Sequence, residues 1–517
     1  MHPHPTRVTA LTGLALAAAL VLTGCAASSP GPAEDTPTTF VAQTSLNTLD
    51  PLLSDTIQND VVDDLLYDSI LDYDDNAQIV PRIATEWTVA DDALSIDLTL
   101  RDDVVFSDGT PLTAADVVYS LDRIATAGIG AASFLTDYAS ATAVDDTHVT
   151  ITLARPNTTF LGALSKIYVV NSAVVEQNVG TDNAQAWLAA NAAGSGPYIL
   201  QDYTQATSVK MSLNADYWAY DTDRPDTYVL EAFEESAGIS TALRGGSLNL
   251  GTLPATDAAT FENNPDYVVT DLPSGSGSFV FFNTKSGPTA DPKVREAIEL
   301  AYDYDGHVKT ILGGKGTVAS SVLPDILGCD IDMPDKKQNV KKAKELLAEA
   351  GAENLTLTLM YQPTLPEHNA AATLLQSNLR DIGITLNLQT TTFPAYNDAL
   401  KSIATTPDLA IANDRARYPD PFVMLNRQFN SAFVEKGSNR GQYSNPEVDE
   451  ILAEAQVTPD AADRCSLYQK LEEVVAADHA VMPLANAELT YVSSANVEGV
   501  QFSPVRLVFD PLSIRVQ

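Results

Sequence analysis

The chain has 517 residues, which is too long for one compact hydrophobic core, so at least two lobes are expected. Its composition is 45% apolar, as in ordinary globular proteins, but 30 Lys and Arg against 68 Asp and Glu give a formal net charge of −38. Such a surface repels nucleic acid and anionic lipid headgroups, which argues against both as partners.

The first predicted element is an export signal. Residues 8–22 are apolar or small and carry no charge. The run is shorter than the roughly 20 residues that a membrane-spanning helix needs. It ends in Leu22-Thr23-Gly24-Cys25, which resembles the lipobox of bacterial lipoproteins. We therefore predict removal of residues 1–24 and acylation (palmitate) of Cys25, which anchors the protein outside the cell membrane. The alternatives are an ordinary signal peptide with a chance cysteine and an uncleaved anchor.

A flexible tether is predicted next. Residues 25–37 are small, polar and rich in proline, so they cannot bury enough apolar surface to fold. No later stretch is long and apolar enough to cross a bilayer. We therefore expect the rest of the chain to fold outside the membrane.

Strands and helices alternate along the remaining chain. Thr113 followed by Asp116 is a capping-box pattern, and Asp291-Pro292 is a cap followed by proline at the first helical position. The alternation predicts α/β lobes. Strands are expected at 38–44, 94–100, 148–153, 198–203 and 384–388, and helices at 56–70, 113–124, 293–301, 340–350, 369–381 and 460–477.

Cys329 and Cys465 are the only cysteines besides the lipobox residue. An extracytoplasmic compartment permits a disulfide between them. Their wide separation in the sequence gives no geometric support for one, so we expect two buried, unpaired thiols.

Several segments together resemble the extracytoplasmic solute-binding proteins of family 5, the oligopeptide, dipeptide and nickel receptors of ABC importers. The most specific match is the pattern FxDGxPxTAxDVxYS at residues 106–120. The resemblance covers roughly residues 40–510. The other matching segments occur in family order at residues 81–87, 98–101, 194–198, 217–218, 283, 291–297, 301–303, 343–351, 443–449 and 464–468.

The resemblance implies a two-lobe periplasmic-binding-protein-like fold of the cluster C type. Lobe I would comprise residues 38–277 and 487–517, with an extra subdomain at about 70–190, and lobe II residues 278–486. The two hinge segments would be Ser274–Gly277 and Pro483–Asn486, because glycines absorb backbone rotation at little cost.

The implied function is binding without catalysis or cofactor. A monomeric receptor would capture a peptide or peptide-like solute between its lobes and deliver it to a membrane permease with its ATPase subunits. An anionic non-peptide solute, a metal chelate or a sugar is the alternative in the same fold. A lipoprotein hydrolase is the remaining alternative, but the sequence has no GxSxG, HExxH or nucleotide-loop motif.

No metal site is predicted from the histidines. His148, His307, His368 and His479 have no ligand spacing between them, and none is next to a cysteine. We therefore expect structural or surface roles for all four.

The segment 411–421 is the expected specificity region. In peptide receptors of the family, an Asp here pairs with the α-ammonium of the peptide, but the matching position in this chain is Arg417, and Asp414 fits only with a register shift. The loop 362–369 also lacks the arginine of the dipeptide receptors.

Arg415 and Arg417 are two positions apart and would share one face of an extended segment. They form either salt bridges with surface carboxylates or a pocket for a carboxylate or phosphate of the ligand. Phe393 matches an aromatic residue that flanks the pocket in dipeptide receptors. The expected ligand contacts are Thr44, Ser45, Asn47, Ser276, Ser278, Phe393, Asp414, Arg415, Arg417, Tyr418 and Asp420.

Overall fold

The computed structural model describes residues 38–53, 57–74, 76–329, 331, 333–504 and 506–517. The predicted signal peptide, the lipidated Cys25 and the tether lie outside these residues. Within the described ranges, no helix combines the length and the apolar content that a membrane span requires.

The strands are short and spread over the whole described chain. In chain order they are β1 Thr38–Gln43, β2 Leu71–Tyr73, β3 Ile79–Pro81, β4 Ala84–Val89, β5 Ser95–Leu100, β6 Tyr138–Ala143, β7 His148–Leu153, β8 Tyr198–Thr204, β9 Ser208–Leu213, β10 Thr227–Ala232, β11 Leu250–Thr252, β12 Tyr267–Leu272, β13 Ser276–Phe282, β14 Gly316–Val318, β15 Thr356–Tyr361, β16 Thr385–Thr390, β17 Leu409–Arg415, β18 Val481–Ala487, β19 Leu489–Ser494, β20 Val497–Glu498, β21 Phe502–Ser503, β22 Val508–Phe509 and β23 Arg515–Val516.

The longer helices lie mostly in the second half of the chain. The α-helices are α1 Ile57–Leu66, α2 Ala114–Ala127, α3 Phe160–Ala163, α4 Ser172–Gln177, α5 Gln185–Leu188, α6 Ser236–Gly245, α7 Ala255–Ala258, α8 Pro292–Ala301, α9 Tyr304–Gly306, α10 Val340–Glu349, α11 Pro366–Asp381, α12 Phe393–Ala399, α13 Pro421–Phe429, α14 Pro446–Val457 and α15 Ala461–Ala477.

Cap chemistry explains where predicted helices begin. The Thr113 backbone N–H donates to Asp116 Oδ2 at 2.9 Å, which confirms the capping box of α2. Asp291 Oδ1 accepts the backbone N–H of Lys293 at 2.9 Å and caps α8 as predicted. α2 runs past its expected end and stops at Gly128, whose φ of 65° suits a residue without Cβ.

Two large sheets organise the chain. The first has the strand order β12-β19-β11-β1-β10-β9-β8, and the second has the order β14-β18-β13-β17-β15-β16. Along β13, Val280 and Phe282 belong to one apolar cluster, while Phe279 and Phe281 belong to another. The second sheet, which mixes parallel and antiparallel pairs, is therefore covered on both faces.

A smaller antiparallel sheet has its own core. Its strand order is β4-β5-β7-β6, and α2 packs against it. Ile96, Leu98, Leu121 and Ile151 are all buried in this core. We propose that this region corresponds to the extra subdomain. The boundaries of the subdomain and of the two lobes are also proposals.

The chain crosses between the two large sheets twice. Residues 273–275 connect β12 of the first sheet to β13 of the second, and Glu488 connects β18 back to β19. The first crossing overlaps the predicted hinge at Ser274–Gly277. Pro483–Asn486, the expected second hinge, lies inside β18, so the return crossing is a few residues later than the sequence suggested.

The expectation of two unpaired thiols is wrong, because Cys329 and Cys465 form a disulfide with Cα atoms 5.0 Å apart. Cys465 lies on α15, and Cys329 follows the short 3-10 turn Asp325–Leu327. Packing in the core beside the second sheet brings together two positions separated by 136 residues, which no local pattern could indicate.

Candidate functional site

The strand ends of the two large sheets converge on the crossings. In the first sheet, the parallel strands β1 and β11 finish beside the start of β19 and the end of β12. In the second sheet, β15, β16 and β17 are parallel, and β17 finishes where β13 begins. We call these two ends of the sheets the crossover edges. Ligands of open α/β sheets bind at such carboxyl ends.

Three predicted ligand residues follow β1 at the first crossover edge. Thr44 and Asn47 are exposed and Ser45 is half-buried. The Asn47 backbone carbonyl accepts a hydrogen bond from Gln205 Nε2 at 3.3 Å. The side-chain amide of Asn47 takes no part in that contact. This edge therefore presents hydroxyl and amide groups.

Ser276 and Ser278 lie on β13 at the second crossover edge. Ser276 pairs with Arg415 across the strands, and its hydroxyl donates to the Asp414 backbone carbonyl at 3.3 Å. Ser278 is two pairs deeper, opposite Asn413, and is buried. The structure thus brings two predicted serines to the strand that carries the predicted charged residues.

Asp414 is buried and held by several donors. Its Oδ2 accepts from Arg440 Nη1 at 2.8 Å and from Gln428 Nε2 at 2.6 Å, and its Oδ1 contacts Arg427 Nη2. Burial alone would raise the pKa of Asp414, but Arg427 and Arg440 outweigh burial and hold the pKa at about 2. These bonds engage the carboxylate within the fold.

The Arg415 side chain lies among charged groups at the second crossover edge. The guanidinium is half-buried and forms no ion pair or hydrogen bond with any described residue. Burial, together with the charges of Arg417 and Arg427, lowers the pKa of Arg415 to about 10, although Asp60 and Asp414 act in the opposite direction. Arg415 is therefore a cation that the described fold leaves without a bonded anion.

Arg417 lies just beyond the end of β17. It is half-buried like Arg415, whereas Ala416 between them is buried. This alternation agrees with the expectation that the two arginines share one side of an extended segment.

Tyr418 and Asp420 are engaged in the fold. Tyr418 is buried in the core of the small antiparallel sheet, where Gly162 leaves room for its ring. Asp420 Oδ1 accepts the Phe422 backbone N–H at 2.8 Å and caps α13, and it also accepts from Tyr468 at 3.0 Å. Their contact with a ligand stays a prediction.

Phe393 is the first residue of α12, a few positions after β16. Its side chain is 59% exposed, which is unusual for a large apolar residue. A ligand contact would cover part of that surface, and this role also stays a prediction.

Sequence reasoning missed the charged residues that surround the predicted ones. Arg427 and Gln428 come from α13 and Arg440 from a loop, so no local pattern connects them to Asp414. On the side of the first sheet, Asp60 of α1 forms a buried ion pair with Lys166 at 3.2 Å. The high ratio of acids to bases was the one available signal, because it makes every buried arginine notable.

The histidines have structural partners. The Tyr302 hydroxyl and His307 Nδ1 are 2.7 Å apart, and His368 Nε2 lies 3.0 Å from Asn413 Oδ1. Across the described residues, no group of three or more His, Cys, Asp or Glu is arranged to hold a metal ion.

A family model, described as bacterial extracellular solute-binding proteins, family 5 Middle, matches residues 78–435. A probable D,D-dipeptide-binding periplasmic protein, DdpA, of Escherichia coli (strain K12) is 28% identical over 429 residues, covering 82% of this chain and 82% of that protein. The glutathione-binding protein GsiB of Escherichia coli (strain K12) is 26% identical over 487 residues, covering 89% and 91%.

A solved structure shares the architecture. The periplasmic binding protein DppA from Helicobacter pylori, in complex with the peptide STSA, aligns with a TM-score of 0.78 at 23% identity, covering 93% of this chain and 98% of that one. This likeness confirms the predicted two-lobe α/β fold.

Proposed function

Because the chain belongs to the bacterial extracellular solute-binding proteins of family 5, we propose that it is the substrate-binding protein of an ABC importer and that its ligand is a peptide or peptide-like solute. The relatives whose names specify a dipeptide or glutathione support the ligand class. Proteins of this family bind and do not catalyse, so the geometry must be explained as a binding site.

The observation that carries the proposal is the Arg415 guanidinium at the second crossover edge. In a chain of charge −38, a half-buried arginine without a carboxylate partner is a site that an anion would stabilise. A ligand carboxylate would accept bidentate hydrogen bonds from such a fork. In the peptide receptors, an Asp in this region pairs with the α-ammonium group of the peptide. In this chain, the guanidiniums of Arg415 and Arg417 would take the place of that Asp.

Closure of the lobes is the proposed response to the ligand. The Thr158 hydroxyl donates to the Thr458 carbonyl at 2.9 Å, and Gln456 Nε2 donates to Asp137 Oδ2 at 2.8 Å, so regions far apart in the chain touch. Beside the first crossing, Lys315 precedes β14 of the second sheet, and its Nζ lies 2.6 Å from Oδ2 of Asp271 on β12. A ligand that contacts both crossover edges would favour a closed arrangement of the lobes, which would then dock on a permease.

The test is the ligand-induced rise in melting temperature of the full chain with a dipeptide mixture. We expect Arg417→Ala to abolish the rise, because its guanidinium would hold the ligand, and the unliganded melting temperature reports separately on the fold. Arg380→Ala, which removes an exposed arginine at the end of α11, is the matched control. An unchanged rise in Arg417→Ala would remove Arg417 from the site.

The lipid on Cys25 is also part of this proposal. An anchor and the predicted tether at residues 25–37 would keep ligand capture close to the permease. We expect Cys25→Ala to leave the ligand affinity intact and to release the protein from the membrane fraction or leave it unprocessed. Membrane fractionation with detection of the acyl group checks this, and an acylated Cys25→Ala protein would contradict it.

A further inference from the structure

The charges at the end of β17 do not balance. We call Arg415, Arg427 and Arg440 around Asp414 the arginine cluster. Asp414 contacts both Arg427 and Arg440, so one carboxylate serves two guanidiniums. Arg415, the next residue, adds a third guanidinium without an ion pair among the described residues. These four residues by themselves therefore carry an excess of two positive charges.

This excess is held away from water. The side chain of Asp414 is 3% exposed, that of Arg440 is 15% exposed and that of Arg427 is 24% exposed. Burial and the neighbouring Arg440 and Arg417 lower the pKa of Arg427, although Asp414 acts in the opposite direction. Partly buried like charges destabilise one another, so an anion that neutralises two of them gains more than one that neutralises a single guanidinium.

The arginines also keep unused donors. Arg427 Nη2 reaches Asp414 and the Arg415 carbonyl, but Arg427 Nε is buried without a hydrogen-bond partner in the described structure. The Arg427 contact to the Arg415 carbonyl places the two residues side by side. A guanidinium offers five N–H donors. Two neighbouring guanidiniums therefore match a ligand group with two carboxylates better than a group with a single carboxylate.

The nearby acids are already engaged. Asp60 forms an ion pair with Lys166 at 3.2 Å. Asp420 caps α13 and lies 3.5 Å from Arg464 Nη2. The charge of Asp60 acts on Arg415, but the Arg415 side chain forms no hydrogen bond or ion pair with it in the described structure.

We propose that the ligand is a peptide whose last residue is acidic, and that its two carboxylates bind the arginine cluster through Arg415 and Arg427. This inference rests on the proposed peptide-binding function and deepens it. The anionic end of the ligand lies on the second crossover edge, and the exposed hydroxyl and amide groups after β1 face the rest of the peptide.

Isothermal titration of the full chain, after dialysis to remove bound ligand, tests the inference. Ala-Glu and Ala-Gln have nearly the same shape and differ by one carboxylate. We expect Ala-Glu to bind roughly 30-fold or more tightly, as for a close charge pair out of water. In Arg415→Gln, Ala-Glu should lose most of that advantage, whereas Arg380→Gln should keep it.

Arg415→Gln is the informative variant because the Arg415 side chain forms no hydrogen bond or ion pair with a described residue, and its unliganded melting temperature checks the fold. Equal affinity for Ala-Glu and Ala-Gln would overturn the inference and leave the proposed function intact. A retained preference in Arg415→Gln would also overturn it. Failure of every tested peptide to bind would overturn both proposals.

Discussion

Buried charge is arranged differently beside the two large sheets. On the side of the first sheet, Arg123 Nη2 lies 2.7 Å from Asp50 Oδ2, and Lys166 Nζ lies 3.2 Å from Asp60 Oδ2, all with side chains less than 9% exposed. At the end of β17, in contrast, Asp414 is shared by two arginines and Arg415 has no ion pair among the described residues.

The difference separates structural charge from binding charge. A buried pair that neutralises itself needs nothing from outside, whereas an unbalanced group is stabilised only when a counter-ion arrives. A receptor needs such an imbalance at its binding site, because the free energy released on neutralisation then favours the liganded state. The contrast between the two regions is therefore the strongest pointer to the site.

Breaking a balanced pair should have the largest effect on stability. Arg123→Ala leaves Asp50 buried without its cation, and we expect a loss of roughly 3–5 kcal/mol in the free energy of unfolding. Urea denaturation measures it. Lys293→Ala, which breaks an exposed pair with Glu349, is the control and should cost about 1 kcal/mol or less. Equal costs would remove the distinction between the two kinds of pair.

The pH dependence should then differ in sign between the regions. The pKa of Asp414 is about 2, below the unfolded value of about 3.9, so its stabilisation is present above pH 4 and is lost as the pH falls towards 2. Burial raises the pKa of Asp64 beside the first sheet, although Arg506 opposes the rise. Its contribution is therefore present below pH 4 and is lost as the pH rises through the folded pKa.

Asparagine variants separate these two contributions. From pH 6 to pH 3, the destabilisation caused by Asp414→Asn should shrink, and at still lower pH the total decrease should approach about 2 kcal/mol. Over the same range, the destabilisation caused by Asp64→Asn should grow. Chemical denaturation at several pH values measures both. Parallel pH profiles for the two variants would show that the two carboxylates share one electrostatic environment.

Local chemistry made much of the fold predictable. Helix caps and strand alternation depend on residues within a few positions of one another. The structure confirms the caps at Thr113 and Asp291 and the strand at His148–Leu153. The predicted end of the helix at Ile124 was too early because a helix continues until a residue such as Gly128 allows the left-handed turn.

The candidate site was predictable only in part. The sequence led to Arg415 because cations are rare in this chain and two of them lie close together at 415 and 417. It did not lead to Arg427 or Arg440, which reach Asp414 from a helix and a loop. It was also wrong about Cys329, whose partner on α15 is distant in the sequence.

By itself, the sequence determined the family and the alternation of strands and helices, and it led to the region that we propose for specificity. Those properties depend on ordered motifs and on interactions between near neighbours. Only the tertiary structure decided which charges are balanced, because ion pairing depends on distances between side chains from separate elements. The same dependence leaves Arg415 without an ion pair in the described structure, and that property supports the proposed binding site.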